Sequence, residues 1–122
     1  MQAKLHRYKA DSEYFFTEGC FITELSNTSA DGEVSIARAR LEAGKCTRWH
    51  RLRATAERYV ILQGEGRIEV GRQLREDVAA ADVVVIPPMA PQRICNRGDT
   101  ELIFLVICTP RFTAEAYEDL EE

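Results

Sequence analysis

Short apolar runs, separated by turn-forming residues, recur along most of this chain. They cover residues 14–16, 20–25, 34–41, 58–62, 66–70, 82–86, 93–96 and 102–108. Glycine or proline stands between most of the runs, for example at Gly44, Gly71 and Pro91. Alternating or short apolar runs bounded by such residues are typical of strands with a buried face. Several short strands at this spacing predict an all-β fold of two antiparallel sheets, a sandwich or a barrel.

The length of 122 residues fits one domain, and the sequence contains no linker, internal repeat or low-complexity tract. We therefore expect a single domain over residues 1–122. Residues 113–122 are predicted to form a short helix or a tail, because Thr113 suits a helix N-cap and Glu115 suits a first turn.

Charge and composition exclude several classes of partner. The net charge of −4 argues against nucleic acid, which requires a basic stripe to neutralise phosphates. No apolar run approaches the roughly 18–20 residues of a membrane span, and the charged N-terminus does not resemble an export signal. We expect a cytoplasmic protein with no membrane contact. In that compartment we expect free thiols at all four scattered cysteines, Cys20, Cys46, Cys95 and Cys108.

Two groups of residues in the middle of the chain are spaced in a recognisable way. Gly44, His50, Glu57 and Gly64 resemble the first motif of the cupin superfamily, although Leu52 stands at its second histidine. Pro87 and Asn96 hold their places in the second cupin motif. The residues that depart from that motif are Ala81 and Met89, at two glycine positions, and Gln92, at the histidine. The resemblance covers about residues 34–110 and implies a jelly-roll barrel with a pocket in its mouth.

Strand alternation indicates which side chains share a face. It groups Arg48 with His50, Glu57 with Tyr59, and Gln92 with Asn96, because every second residue of a strand points to the same side. Neighbouring strands would bring these pairs together. The predicted ligand pocket therefore consists of Arg48, His50, Glu57, Tyr59, Gln92 and Asn96.

A metal site is a further possibility that the resemblance raises. Similar cupins hold a transition metal with three histidines and a glutamate, whereas this chain has only His6 and His50. One divalent transition metal ion on His50, Glu57 and Gln92 is the hypothesis that remains. Each of these residues could instead have a structural role without a metal. His50 would be hydrogen-bonded, Glu57 would form an ion pair with a nearby arginine, and Gln92 would bond to the backbone.

The arginines between positions 48 and 58 have two interpretations. They form either a solvated face that balances an acidic surface or a clamp for an anion, since the guanidinium fork matches carboxylate and phosphate.

The leading functional hypothesis is a cupin that binds a small polar or acidic molecule. The alternative is a metal-dependent enzyme, of the isomerase, epimerase, decarboxylase or dioxygenase type found among similar cupins. A third is a regulatory or scaffolding barrel without chemistry. The resemblance also implies a homodimer, for which an exposed strand edge within residues 14–25 would serve.

Overall fold

The protein forms two antiparallel sheets that face each other. The computed structural model describes residues 1–121. Its strands are β1 Tyr14–Phe15, β2 Phe21–Ser26, β3 Ser35–Leu41, β4 His50–Leu52, β5 Ala56–Gln63, β6 Glu65–Val70, β7 Leu74–Ala79, β8 Val83–Ile86, β9 Gln92–Asn96, β10 Leu102–Thr109 and β11 Tyr117–Asp119. The all-β, two-sheet prediction is confirmed, and within residues 1–121 no helix is long and apolar enough to cross a membrane.

The strand order interleaves distant parts of the chain, as a jelly roll does. One sheet has six strands in the order β1-β2-β3-β10-β5-β8, and the other has five in the order β11-β4-β9-β6-β7. Alternate residues of each strand point between the sheets and form one core, which includes Leu41, Ile61, Ile68, Ile94 and Phe104. His50 of β4 lies directly opposite Gln92 of β9, so the two cupin-like segments meet at this end of the five-stranded sheet.

The C-terminal segment does not form a helix. A short 3₁₀ turn at Ala114–Ala116 leads into β11, which pairs with β4 so that Tyr117 lies opposite Leu52. The Thr113 side chain makes no capping hydrogen bond, and its backbone is extended. Tertiary pairing with β4 therefore overrides the local helix signal. Residue 122, part of the predicted helix, lies outside the described residues.

The clustered arginines pair with acidic residues of this C-terminal strand. Arg48 Nε lies 2.9 Å from Asp119 Oδ2, and Arg51 Nε lies 3.1 Å from Glu118 Oε1. Arg53 Nε is 4.0 Å from the same Glu118 oxygen. The charge asymmetry of the sequence thus becomes a set of ion pairs between β11 and the residues in and beside β4.

Two positions at which cupins carry glycine keep a glycine-like backbone here. Ala81 has φ of 76° and Met89 has φ of 69°, both in the left-handed region that favours glycine. The amide of Ala81 donates to the Ile61 carbonyl at 2.8 Å, and that of Met89 donates to the Leu52 carbonyl at 2.8 Å. These hydrogen bonds to β5 and β4 hold both residues in a backbone conformation that is unfavourable for a residue with a Cβ atom.

The expectation of four free thiols is wrong. Cys46 and Cys95 are joined by a disulfide, whereas Cys20 and Cys108 are free and buried. Cys46 precedes β4 and faces Cys95 of β9 across an isolated antiparallel bridge, with 4.0 Å between their Cα atoms. The residues lie 49 positions apart, so their pairing arises from the fold and has no local spacing signal.

Candidate functional site

A cavity opens between the sheets on the inner face of the six-stranded sheet. It encloses about 490 Å³, a volume that includes open solvent at the mouth. Most of its wall is apolar or aromatic, with rings from Tyr14, Phe16, Tyr59, Phe104 and Phe112. The space that the centre of a water molecule can reach is only about 40 Å³, so the cavity is narrow, but its mainly apolar wall with a few polar groups is typical of small-molecule sites.

Carboxyl groups are the charged groups in this wall. Glu18, Glu24 and Glu57 line the cavity, and no lysine or arginine is among its lining residues in the described chain. Glu57 extends inward from β5 and is buried, whereas Glu24 lies on β2 and is exposed. Glu18 belongs to the turn between β1 and β2, and its side chain retains 15% exposure. The inner end of the cavity is therefore polar and acidic.

His50 lies beside Glu18 with a defined orientation. Its Nδ1 is 2.6 Å from the Arg48 carbonyl oxygen, and its Nε2 is 3.4 Å from Glu18 Oε2. A carbonyl oxygen only accepts, so Nδ1 carries a hydrogen. Nε2 is thereby directed toward the Glu18 carboxyl group. The buried ring also stacks on Tyr117, with 5.3 Å between the ring centroids.

Glu57 belongs to a buried chain of hydrogen bonds. The Gln92 amide nitrogen donates to Glu57 Oε1, and the Tyr59 hydroxyl donates to Gln92 Oε1 at 2.6 Å. The Cys108 thiol lies 3.8 Å from the other Glu57 oxygen. Gln92 thus uses both ends of its amide to connect Glu57 with Tyr59, and the Glu57 Oε2 atom has only a weak thiol donor.

Burial changes the proton affinity of both inner carboxyl groups. Burial raises the pKa of Glu57 to about 7, and the negative charge of Glu18 also raises this pKa. His50, Gln92 and Cys108 lower it and offset part of the increase. Burial also raises the pKa of Glu18 to about 7, opposed by a hydrogen bond with Cys20. Near neutral pH the two groups therefore exchange between carboxyl and carboxylate, the condition suited to donating and accepting protons.

The structure separates the six predicted pocket residues into three sets. Glu57 and Tyr59 line the cavity, and His50 and Gln92 contact its polar end through Glu18 and Glu57. Arg48 and Asn96 lie elsewhere.

Arg48 does not share the cavity with His50. It pairs with Asp119, its side chain is 37% exposed, and it is not among the residues that line the cavity. The alternation argument does not apply because β4 begins only at His50, after Arg48.

Asn96 has a structural position, although its side chain is buried. Its Nδ2 donates to the carbonyls of Leu41 at 2.9 Å and Thr100 at 2.8 Å, and its Oδ1 accepts from the Gly98 amide at 2.9 Å. It stabilises the turn after β9.

Sequence reasoning missed Glu18. The residue lies between Thr17 and Gly19 in a turn, and an acidic residue next to glycine in a turn is ordinarily exposed. It is held inward because its carbonyl accepts from the Arg48 amide at 2.7 Å, a contact between segments distant in sequence. No spacing signal in the chain indicates this contact.

The comparisons with known proteins agree with the fold and the motif spacing. The sequence model of the cupin domain matches residues 37–108. The chain belongs to the cupin family. It is 30% identical over 116 residues to the uncharacterized protein MJ1618 of Methanocaldococcus jannaschii, covering 93% of this chain and 92% of that protein.

Solved structures with the same architecture include enzymes. Pac13 from Streptomyces, described as a unique nucleoside dehydratase, superimposes with a TM-score of 0.78 at 14% identity, covering 97% of this chain and 92% of that one. A predicted oxalate decarboxylase from Thermotoga maritima gives a TM-score of 0.74 at 21% identity, covering 85% and 98%. At these identities the likeness concerns the fold.

Cupins often bind a metal, but the residues of this cupin do not fit one. Leu52 is buried and apolar at the position of the second histidine, and the Gln92 oxygen already accepts from Tyr59. Within residues 1–121 no group of three or more histidine, cysteine, aspartate or glutamate side chains is placed to hold a metal ion. One imidazole, with no second histidine beside it, and a glutamine oxygen already used by Tyr59 form a poor donor set for a transition metal.

Proposed function

We propose that this cupin binds a small molecule in the cavity between its sheets. Glu18 and Glu57 would contact the polar end of the ligand, and the aromatic wall would pack against its apolar body. The observation that carries the proposal is that two carboxyl groups with little exposure, Glu18 and Glu57, line an otherwise largely apolar cavity. Buried carboxyl groups are costly to ionise unless they are paired, so a ligand that donates hydrogen bonds to them would be favoured.

The charges of the wall support a polar ligand over an acidic one. Glu18, Glu24 and Glu57 would repel a carboxylate or phosphate, and no lining residue of the described chain supplies a compensating lysine or arginine. The nearest arginine of the motif segment, Arg48, pairs with Asp119 outside the cavity. We therefore favour ligands with amine, amide or hydroxyl groups on an apolar body, since such a body matches the aromatic wall.

Proton-transfer chemistry without a metal is a second candidate function. The pKa values of about 7 for Glu18 and Glu57 favour it, because such groups act as acid and base under the same conditions. A dehydration needs one group to protonate the leaving hydroxyl and another to remove a proton. Pac13, a nucleoside dehydratase, provides a precedent within this fold, so uridine and related nucleosides are reasonable first substrates to assay.

Three matched probes test the binding proposal: benzylamine, benzyl alcohol and benzoate. They share one aromatic body and differ in the polar end. By ligand-observed NMR at neutral pH, we expect benzylamine and benzyl alcohol to bind and benzoate to bind at least about tenfold more weakly. Glu57→Gln should weaken benzylamine by about tenfold or more, because it removes the charge that attracts the ammonium group.

The matched control for this experiment is Glu76→Gln, at an exposed position on β7 outside the cavity lining. It should bind all three probes as the parent does. Three results would contradict the proposal. Benzoate could bind most tightly, the two substitutions could have equal effects, or no probe could bind at millimolar concentration. The last result would favour the regulatory or scaffolding alternative.

A further inference from the structure

The disulfide lies on the outer side of the five-stranded sheet, away from the core. Cys46 is exposed and Cys95 is partly buried. The two remaining thiols, Cys20 and Cys108, are buried within the cavity wall. A dissolved thiol can therefore approach the Cys46–Cys95 bond from the side of exposed Cys46, since thiol–disulfide exchange requires access to a sulfur atom.

The disulfide closes a short ladder between the segment before β4 and strand β9. Thr47 donates its amide to the Ile94 carbonyl at 2.9 Å, and Asn96 donates its amide to the Lys45 carbonyl at 2.8 Å. The Ile94 amide donates to Thr47 Oγ1 at 3.0 Å. The Thr47 hydroxyl also donates to the Ile94 carbonyl at 3.4 Å, and these hydrogen bonds act together with the disulfide to attach residues 45–47 to β9.

The same segment positions the polar end of the cavity. The Arg48 amide donates to the Glu18 carbonyl at 2.7 Å, and the Arg48 carbonyl lies 2.6 Å from His50 Nδ1. Glu18 and His50 are thus both fixed through Arg48, two residues after Cys46. A change in the attachment of residues 45–47 is transmitted to both side chains through covalent and hydrogen-bonded neighbours.

We propose that the Cys46–Cys95 disulfide is a redox-controlled clamp that fixes Glu18 and His50, and that a dithiol reductant opens it. One thiolate of the reductant attacks Sγ of Cys46 and displaces Cys95 as a thiolate, which takes up a proton. The second thiol of the reductant then attacks the mixed disulfide and releases Cys46. Two electrons and two protons pass to the protein, leaving two cysteine thiols and an oxidised, disulfide form of the reductant.

Opening should loosen the site locally without unfolding the barrel. The core cluster between the sheets, around Ile61, Ile68 and Phe104, includes neither Cys46 nor Cys95. The hydrogen bonds of Thr47 and Asn96 remain available after reduction, so the segment should alternate between attached and detached states. Such local opening occurs in segments that few contacts secure.

Histidine NMR tests the proposal without any ligand, because the chain has only His6 and His50. On addition of dithiothreitol, we expect the His50 ring signals to shift or broaden, whereas those of exposed His6 should not change. Amide exchange at Thr47 and Asn96 should become about tenfold faster or more, with Ile68 as the unchanged reference. Re-oxidation should restore the first spectrum.

The matched variant is Cys46→Ser with Cys95→Ser. It should give the His50 spectrum of the reduced parent and should not respond to dithiothreitol. Unchanged His50 signals after both thiols have been labelled would overturn the clamp, as would complete unfolding on reduction, since the bond would then be purely structural. Labelling of four thiols in the denatured, unreduced protein would show that the disulfide does not form and would also overturn it. None of these outcomes depends on whether the cavity binds a ligand.

Discussion

At the scale of single residues, Glu18 and Glu57 determine how stability should depend on pH. Both carboxyl groups have a pKa of about 7 in the folded protein, above their ordinary value of 4.5. The folded state therefore binds their protons more tightly than the unfolded state does. Their contribution to stability is fully present below the unfolded pKa and is lost as the pH rises through about 7.

We predict that Glu57→Gln makes stability less sensitive to pH. The parent should lose roughly 2–3 kcal/mol of unfolding free energy per buried carboxyl group between about pH 4.5 and about pH 8. The variant should lose roughly half of the parent's total, because one of the two titrating groups has been removed. Urea denaturation at several pH values measures this.

Glu76→Gln on the exposed face of β7 is the control for charge removal and should follow the parent curve. Equal pH profiles for the parent and Glu57→Gln would show that Glu57 does not titrate in this window.

The sequence predicts that some residues of the site lie close together, but it does not predict this for all of them. His50, Glu57 and Gln92 occupy motif positions, so the family spacing places them near one another without any structure. Glu18 lies outside both motifs and approaches His50 only because the β1–β2 turn contacts the segment before β4. The assignment of Arg48 failed because alternation was extended beyond the end of a strand.

At the scale of elements, β11 shows how a partner strand overrides local signals. Residues 113–122 carry a good N-cap residue and early acidic residues, which are local signals of a helix start. In the protein, β4 offers an unpaired edge with Arg51, and β11 places Glu118 directly opposite. Helix propensity is weak compared with sheet pairing and cross-strand ion pairs, neither of which is visible in the local sequence.

The turns at Ala81 and Met89 lead to an element-level prediction. A left-handed backbone costs roughly 1–2 kcal/mol for a residue with a Cβ, whereas glycine adds roughly 0.5–1 kcal/mol of unfolded-state entropy. Ala81→Gly and Met89→Gly should therefore each stabilise the protein by about 0.5–1 kcal/mol in urea denaturation. Little packing is lost at Met89, whose side chain is exposed.

Ala80→Gly is the matched control for these substitutions. Ala80 is exposed and has no left-handed backbone, so glycine there should destabilise by up to about 1 kcal/mol. Destabilisation by Ala81→Gly of the same size as in the control would mean that the turn is not strained.

At the scale of the whole molecule, the recurrence of short strands and two motif remnants were sufficient to predict the barrel. They indicate which faces are buried, and a jelly roll of two sheets buries those faces against each other. The Cys46–Cys95 bond could not be predicted in this way. It depends on which residues of β9 lie opposite the segment before β4, a register that neither the spacing of the cysteines nor the expected compartment specifies.

The last prediction concerns assembly. The six-stranded sheet has two edges, β1 and β8, and each exposes an apolar side chain, Phe15 at 60% and Val85 at 64%. We predict a homodimer through the β1 edge, within the segment that the sequence singles out. Phe15 stacks edge-to-face on Phe21, with 5.1 Å between their ring centroids, so this edge presents an ordered aromatic surface. A two-fold axis beside β1 would bury Phe15 of both copies at once.

Light scattering coupled to size-exclusion chromatography, run over a range of concentrations, tests this assembly. We expect Phe15→Asp to raise the dimer dissociation constant by about tenfold or more, because each dimer would bury two unpaired carboxylates. Val85→Asp, at the opposite edge, is the matched control and should leave the dimer unchanged, since an exposed valine outside the interface tolerates a charge. If Val85→Asp dissociates the dimer and Phe15→Asp does not, the subunits pair through β8. A parent that is monomeric at all concentrations would reject the homodimer itself.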